Sequence, residues 1–470
     1  MNGTIRARAR AVVVGGGITG LTAAYRLTEE LGRDAVLLLE TSERLGGKIA
    51  TELVDGFVIE GGPDCFLAAK PGGVELCRAL GLGDRLTGTD PARKRSFVKR
   101  RGTLHELPEG ITGLVPSRIW PLLTTGILSL PGRFRAGMEY FVPKRRDGAD
   151  ETIREFVARR FGIEAYDWLA EPLLGGIYAG NGAELSLRAI FPQLAEIERS
   201  QGSLVRSMLR GRRPSSNAES AFLTPVRGLG ELVRALEDRL RPDRVRLSVA
   251  VLSVERGASG YRLWIADGTF ISADAVILAT PAFVTADLVR GLDIALARTL
   301  EAIPFVSTAT VSLAYPARAV PHSLDGYGYV SPRAEGGPIV ACSWTSSKFP
   351  ARAPNDMALV RLFLGRAGFE DVVEGSDAEV LEAACEELRL TLGVTAEPAL
   401  ARVFRWPRGM PQYTRGHLER IAEIERRLQD HPGLFLAGAS YRGIGIPDCI
   451  ESGRRAAKRV IESVTSRVTG

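Results

Sequence analysis

The chain is poor in cysteine and histidine. Its five cysteines (Cys65, Cys77, Cys342, Cys385 and Cys449) stand far apart, odd in number and without C-x-x-C spacing. That excludes a disulfide framework and the usual zinc spacings, and it points to a reducing, cytoplasmic setting. The four histidines (His105, His322, His417 and His431) are too dispersed for a metal cluster, so no metal is expected. No apolar run approaches the length of a membrane span. No signal peptide is legible, because the first apolar run belongs to a strand of the fold. No internal repeat is evident. At 470 residues the chain exceeds one ordinary core, so two or three domains are expected.

What is present is most informative near its beginning. Ala11-Val12-Val13-Val14 reads as a buried strand, and Gly15-Gly16-Gly17-Ile18-Thr19-Gly20 as a tight turn that opens a helix. Gly15, Gly17 and Gly20 fill the G-x-G-x-x-G pattern. The first makes the turn, the second lets backbone approach a pyrophosphate, and the third lets helix pack on strand. The helix N-terminus adds free N–H groups and partial positive charge for phosphates. A second apolar strand, at 35–39, ends at Glu40, with Thr41 behind it. Glu40 stands where a carboxylate accepts a hydrogen bond from a ribose hydroxyl. These features predict a dinucleotide site.

Glu43-Arg44-Leu45-Gly46-Gly47-Lys48 follows. Its paired glycine permits a second close backbone approach, and Arg44 and Lys48 bring positive charge. NAD sites need no such extension, and the segment resembles that of FAD-binding oxidases of the amine oxidase type. A second glycine turn, Tyr441-Arg442-Gly443-Ile444-Gly445-Ile446-Pro447-Asp448-Cys449-Ile450, follows a strand at 431–438 and leads into a helix. In amine oxidase-like flavoproteins such a helix points its N-terminus at the isoalloxazine ring, where its dipole stabilises negative charge. Two segments far apart in sequence would then build one cofactor site, and the nucleotide-binding domain would be discontinuous.

Charge is uneven. The net charge is +6, yet residues 91–146 hold twelve Arg or Lys against three Glu, so that segment is +9 and the remainder near −3. A basic segment suits an acidic small molecule or anionic lipid. No nucleic-acid motif accompanies it, so no nucleic-acid partner is expected. Residues 111–131 are apolar but broken by Pro116, Pro121 and Pro131, which predicts short helices at a domain or membrane surface. Periodicity predicts helices over 151–174, 228–240 and 377–392, a polar loop over 210–220, and strands over 245–254, 261–266, 275–279 and within 300–365.

An ordered set of motifs runs along nearly the whole chain: Glu60-Gly61-Gly62-Pro63-Asp64, Gly176-Ile177-Tyr178-Ala179-Gly180, Phe191-Pro192, Arg405-Trp406-Pro407, Pro411-Gln412-Tyr413 with Gly416-His417, and the turn at 443–450. The set resembles the oxygen-dependent protoporphyrinogen/coproporphyrinogen oxidases of haem biosynthesis, most closely their bacterial, coproporphyrinogen-preferring branch. The resemblance implies an α/β (α+β) fold of the amine oxidase/p-hydroxybenzoate hydroxylase kind. It has a discontinuous Rossmann-like FAD-binding domain (1–70, 221–282, 401–470), a mixed-sheet substrate domain (71–90, 185–220, 283–400) and an inserted helical domain (91–184).

The same resemblance implies non-covalent FAD, a porphyrinogen substrate and O₂. Six electrons leave the macrocycle, two at a time, so three O₂ would give three H₂O₂. It places Gly15, Gly16, Gly17, Ile18, Thr19, Gly20, Glu40, Thr41, Lys48, Gly62, Pro63, Asp64, Cys65, Val251, Trp406, Gly445, Ile446 and Pro447 against FAD, and Gly176 and Tyr178 near the macrocycle. No side chain is assigned as acid or base. Lys48 stands where a guanidinium is often found, keeping the charge without the fork. Cys449 is expected to be a small buried side chain rather than a covalent flavin link. The basic segment would meet substrate propionates. A peripheral contact with the inner face of the membrane, and handover of product to a ferrochelatase, are implied by analogy alone. Protoporphyrinogen IX is the alternative substrate. An amine oxidase, a carotenoid desaturase and a flavin-free binding protein on the same fold are more distant readings.

Overall fold

The computed structural model describes residues 5–108, 111–112, 115–116, 124–145, 147–210 and 220–466. Strands β1 (Ile5–Val14) and β2 (Val36–Leu39) flank helix α1 (Ile18–Leu31), and two hairpins follow, β3 (Thr51–Val54) with β4 (Phe57–Glu60) and β5 (Phe97–Arg100) with β6 (Thr103–Glu106). Helices α2 (Leu130–Gly137), α3 (Ile153–Phe161), α4 (Glu171–Tyr178), α5 (Pro192–Gln201) and α6 (Leu204–Arg210) come next. The chain then returns through β7 (Val245–Arg246), β8 (Val251–Arg256), β9 (Tyr261–Ile265) and β10 (Phe270–Leu278). It continues with β11 (Phe305–Pro316), β12 (Gly328–Val330), β13 (Ile339–Ser343), α7 (Thr345–Lys348), β14 (Met357–Leu364) and β15 (Leu400–Pro411). Last come α8 (His417–Leu428), β16 (Leu434–Leu436) and α9 (Ile446–Ser466).

One sheet runs β7-β2-β1-β10-β9-β8, with β16 also on β10. β1 lies parallel to both neighbours, Val14 opposite Leu39 on one side and Leu278 on the other. Helices cover both faces, so β1 reads as continuous apolar sequence and not as alternation. Ala11 and Val13 enter the core shared with α1 and α9, and Val12 and Val14 the core on the opposite face. This is the mixed α/β architecture expected, with the glycine turn at the carboxyl end of a central parallel strand. α1 and α9 touch closely: a Cβ on Gly453 would overlap the carbonyl oxygen of Thr19.

The second sheet runs β15-β11-β14-β13-β12-β5-β6. Its edge hairpin departs from the helical character expected for 91–184. Residues 97–106 are strands because Arg101 and Gly102, at φ +53° and +75°, form a tight two-residue turn, and Phe97-Val98 pair with Tyr329-Val330. Counting Lys99, Arg100 and Arg101 only as charges of the 91–146 segment hid that turn. Residues 111–112 and 115–116 pair as strands, where short helices were expected, while Thr124 is helical and α2 follows. Pro116 has no N–H to give a helical hydrogen-bond ladder. Residues 117–123 of that run, and 211–219 of the expected polar loop, lie outside the described residues. Among the described residues no helix is long and apolar enough to cross a membrane.

The helices between the sheets have their own core. α3 starts with a capping box between Thr152 and Glu155. At its other end Arg160, wholly buried, donates from Nε to Glu139 (2.7 Å), from Nη1 to Glu198 (3.0 Å) and the Val142 carbonyl (3.3 Å), and from Nη2 to Glu139 and the Gly202 carbonyl (2.9 Å). Glu139 in turn accepts from Ser203 Oγ (2.6 Å) and from the amides of Leu204 and Val205 (3.0 Å each), capping α6.

Candidate functional site: a glycine cradle between two helix N-termini

Gly15 turns the chain at φ +107°, a conformation that favours glycine. A Cβ on Gly20 would overlap the carbonyl oxygen of Gly15, so only glycine lets α1 sit this close to β1. Gly16 N donates to Glu40 Oε2 (2.6 Å), and Glu40 Oε1 accepts from Ser42 N and Oγ (2.8 Å each). Glu40 is thus fixed against the turn and keeps lone pairs for a further donor. Gly17 caps α1, and no atom lies within 4 Å of where its Cβ would stand. Open space therefore meets the first-turn N–H groups, which have no acceptor inside their own helix. This donor set fits a diphosphate. Ile18 and Thr19 are buried beneath it. Val249 N donates to the Glu40 carbonyl (2.9 Å), so β8 begins, at Val251, alongside Glu40; Thr41 is exposed.

The 43–48 loop docks on the turn through Gly46 N and the Gly16 carbonyl (2.8 Å). Arg44, an exposed residue, donates from its guanidinium to the carbonyls of Gly47 (2.6 Å), Ile49 (3.0 Å) and Leu45 (3.2 Å) and so also shapes its own loop. Lys48 has accessible surface, yet burial pulls its amine below the ordinary lysine pKa. Both hold for a side chain on the wall of an enclosed cleft, where a bound anion would favour the charged form.

Gly62 closes the next wall: a Cβ there would overlap the carbonyl oxygen of Lys48. The Gly61 carbonyl accepts from Thr310 Oγ1 (2.8 Å) and Trp406 Nε1 (2.9 Å), which seats Trp406 of β15 against this strand end. Beyond Pro63, Asp64 pairs with Lys348 Nζ of α7 (2.9 Å) and accepts from the Cys65 thiol (2.9 Å). Burial alone would raise the Asp64 pKa, but Lys348 and Arg361 more than offset it and hold the carboxylate below its usual range. Burial and the neighbouring carboxylate push the Cys65 thiol far up, so it stays protonated.

Arg361, 2% exposed, donates from Nη2 to the Gly62 carbonyl and lies 4.6 Å from the Phe363 ring centroid; Nε and Nη1 have no hydrogen-bond partner. Neither Lys348 nor Arg361 was singled out from sequence. A lone arginine inside Met357-Ala358-Leu359-Val360-Arg361-Leu362-Phe363-Leu364 was the available signal for one; Lys348 had none.

The turn at 441–445 aims α9 at the same cleft. Gly443, at φ +104°, lies against Asp448, whose carboxylate binds Lys70 Nζ (2.7 Å). Gly445 precedes Ile446 and Pro447 of the first turn, and Cys449 is buried among them, its thiol pushed up to about 11 by desolvation. From the other side, α4 presents Gly176 and Ile177, both exposed. Tyr178 sits edge-on to Phe191 (centroids 6.2 Å), its hydroxyl pushed up to about 12 by burial and by nearby Asp448. The expected residues from both sequence ends and from α4 therefore converge.

The basic segment does not behave as its charge suggested. Arg95 pairs with Glu106 and Asp325, Lys99 with Glu387, Arg100 with Glu164, and Arg145 with Asp147 and Glu151. Arg93 pairs with Asp90, and Arg133, Arg135 and Lys144 bind backbone carbonyls. Most of these carboxylates lie outside 91–146, so counting charge within the segment overstated its free charge. Arg118 and Arg146 are outside the described residues.

The model of the flavin-containing amine oxidoreductase family matches residues 18–461, and the chain belongs to that family. It is 36% identical to the coproporphyrinogen III oxidase of Bacillus subtilis over 95% of this chain and 96% of that one. It is 37% identical to the coproporphyrinogen III oxidase of Propionibacterium freudenreichii over 96% and 90%. Among solved structures, a proposed protoporphyrinogen oxidase from Exiguobacterium matches with a TM-score of 0.86 at 34% identity, over 98% of this chain and 100% of that one.

Proposed function

We propose that the chain is an FAD-dependent coproporphyrinogen III oxidase that forms coproporphyrin III with three O₂ reduced to three H₂O₂. One observation carries this reading: two helix N-termini, α1 and α9, meet at a glycine cradle facing Tyr178 of α4, in a chain alike along 95% of its length to a coproporphyrinogen III oxidase. Bound FAD supplies the redox chemistry, two electrons at a time. The protein's part is to bind, orient and exclude water. Gly15, Gly16, Gly17 and Gly20 with the first turn of α1 (Ile18, Thr19) and Lys48 would hold the diphosphate. Glu40, Thr41 and Val251 would hold the adenosine. Gly62, Pro63, Asp64, Cys65, Trp406, Gly445, Ile446 and Pro447 would line the ring, and Gly176 and Tyr178 the macrocycle. Of the expected FAD-binding segments 1–70, 221–282 and 401–470, residues 401–411 stand in β15 of the second sheet, and the others would form the FAD-binding domain.

The test is growth of porphyrin fluorescence in air with coproporphyrinogen III and protoporphyrinogen IX side by side. Preference for the first is expected; preference for the second would transfer the reading to protoporphyrinogen, and no growth above the spontaneous rate in flavin-loaded protein would end it.

A peripheral membrane contact is a second, separate reading. It is favoured by Leu130, Phe134 and Phe141, which are 72–76% exposed on and just after α2. Co-sedimentation with anionic liposomes at low salt, lost in Phe134→Ser, is the expected result.

A further inference from the structure

Pro411-Gln412-Tyr413 and Gly416-His417 end β15 and open α8, and no role above accounts for them. Their side chains reach in two directions. Gln412, 4% exposed, donates from Nε2 to the Tyr178 carbonyl (2.9 Å) at the end of α4. Gly180 packs on the same amide: a Cβ there would stand 2.5 Å from Gln412 Oε1. Tyr413, 3% exposed, donates from its hydroxyl to the Ala439 carbonyl (2.5 Å) and accepts from Gly443 N (2.8 Å). His417 stacks on the Tyr413 ring, centroids 4.0 Å apart and planes 14° apart. Its Nε2 donates to the Tyr441 carbonyl (2.9 Å), the assignment following because that oxygen can only accept. Three hydrogen bonds thus fasten the turn that aims α9, and one fastens the end of α4.

Backbone contacts anchor the segment itself. Gln412 N donates to the Pro304 carbonyl, and Ser186 N to the Tyr413 carbonyl (2.8 Å each). Burial keeps both rings uncharged: it pulls the His417 pKa down to about 4 and lifts the Tyr413 hydroxyl far above its ordinary value.

We infer that residues 411–417 are a brace that sets the separation between the Tyr178 end of α4 and the N-terminal turn of α9, with Gln412 and Tyr413 as positioning residues. The inference rests on the proposed function, in which those two ends face substrate and flavin. An error of about 1 Å in such a separation costs on the order of 100-fold in rate. Two motifs far apart in sequence, at 176–180 and 411–417, are joined by one buried amide.

The two arms separate in an experiment. Tyr413→Phe keeps the ring and its stack but loses both hydrogen bonds to the turn. It is expected to shift the flavin absorption bands and midpoint potential of the holoprotein, measured by dye-coupled reduction without porphyrinogen, because the α9 N–H groups move relative to the ring. Gln412→Met fills the same space without a donor. It is expected to leave spectrum and potential at wild-type values while lowering kcat for coproporphyrinogen III about tenfold or more, and the double variant should lose less than the product of the single losses. His417→Gln, which removes the stack but keeps a donor, is the second probe of the turn and should shift the potential in the same direction. Folded, flavin-loaded Tyr413→Phe and His417→Gln with wild-type potential and spectrum would overturn the brace. So would a Gln412→Met that shifts the potential as Tyr413→Phe does. A wild type that leaves porphyrinogens unoxidised would end the proposed function instead, and the potentials would still decide the α9 arm.

Discussion

Arg160 and Arg361 are both buried, and the protein treats them in opposite ways. Around Arg160 all three nitrogens meet acceptors, two of them carboxylates, and Glu139 is itself satisfied by three further donors. Arg361 makes one hydrogen bond, to the Gly62 carbonyl, and rests on a phenyl ring with two nitrogens unmatched. Buried polar groups are normally satisfied, and exceptions gather at functional sites. The comparison separates a group that holds helices together from one that shapes a site.

The sharpest way to break the comparison is Arg160→Met. It strands Glu139 without its cation, while Glu198 keeps Arg159, and should cost about 3–5 kcal/mol, read by chemical denaturation. Acid should come next, through a third solution to burial, a ring kept neutral. The folded pKa of His417 is about 4, below an unfolded value near 6.5, so its stabilisation is complete above about pH 6.5 and is lost as pH falls toward 4. The wild type should lose roughly 3 kcal/mol over that window relative to His417→Phe, at about 1.4 kcal/mol per pH unit. Equal pH profiles for the two would show that the ring titrates normally.

Arg361→Met should cost less stability than Arg160→Met, since Asp64 keeps Lys348 when Arg361 goes. Porphyrinogen turnover should still fall about tenfold, near 1.4 kcal/mol, because Gly62 loses its support. A large stability loss with unaltered turnover would place Arg361 with Arg160. Arg95→Ala gives the smallest effect. Its pairs with Glu106 and Asp325 are about half exposed, and such pairs are worth about 0–1 kcal/mol.

The glycine turn and its neighbouring carboxylate were legible because their demands are local. A turn at positive φ, a helix that must touch a strand, and a carboxylate at the next strand's end each leave a residue type at a fixed spacing. Glu40 and Gly20 stand where the spacing put them. Sheet order was less accessible. The 97–106 hairpin joins a strand more than two hundred residues later, and its turn, Arg101-Gly102, looked like surface charge. Lys348 reaches Asp64 across 284 positions, a pairing no local pattern encodes. Arg44 taught the same lesson at short range: the sequence shows that a charge exists, not which carbonyls it binds.

The contact of Gly453 with Thr19 sets a schedule for the cell. The cradle's two halves lie more than 400 residues apart. At roughly 5–20 residues per second, the glycine turn leaves the ribosome on the order of half a minute or more before the helix that covers it. On the proposed site, the nascent chain lacks the α9 half of the cradle until then, and flavin loading is expected to follow synthesis. Riboflavin shortage should therefore appear as full-length, protease-sensitive apoprotein and not as shortened chains.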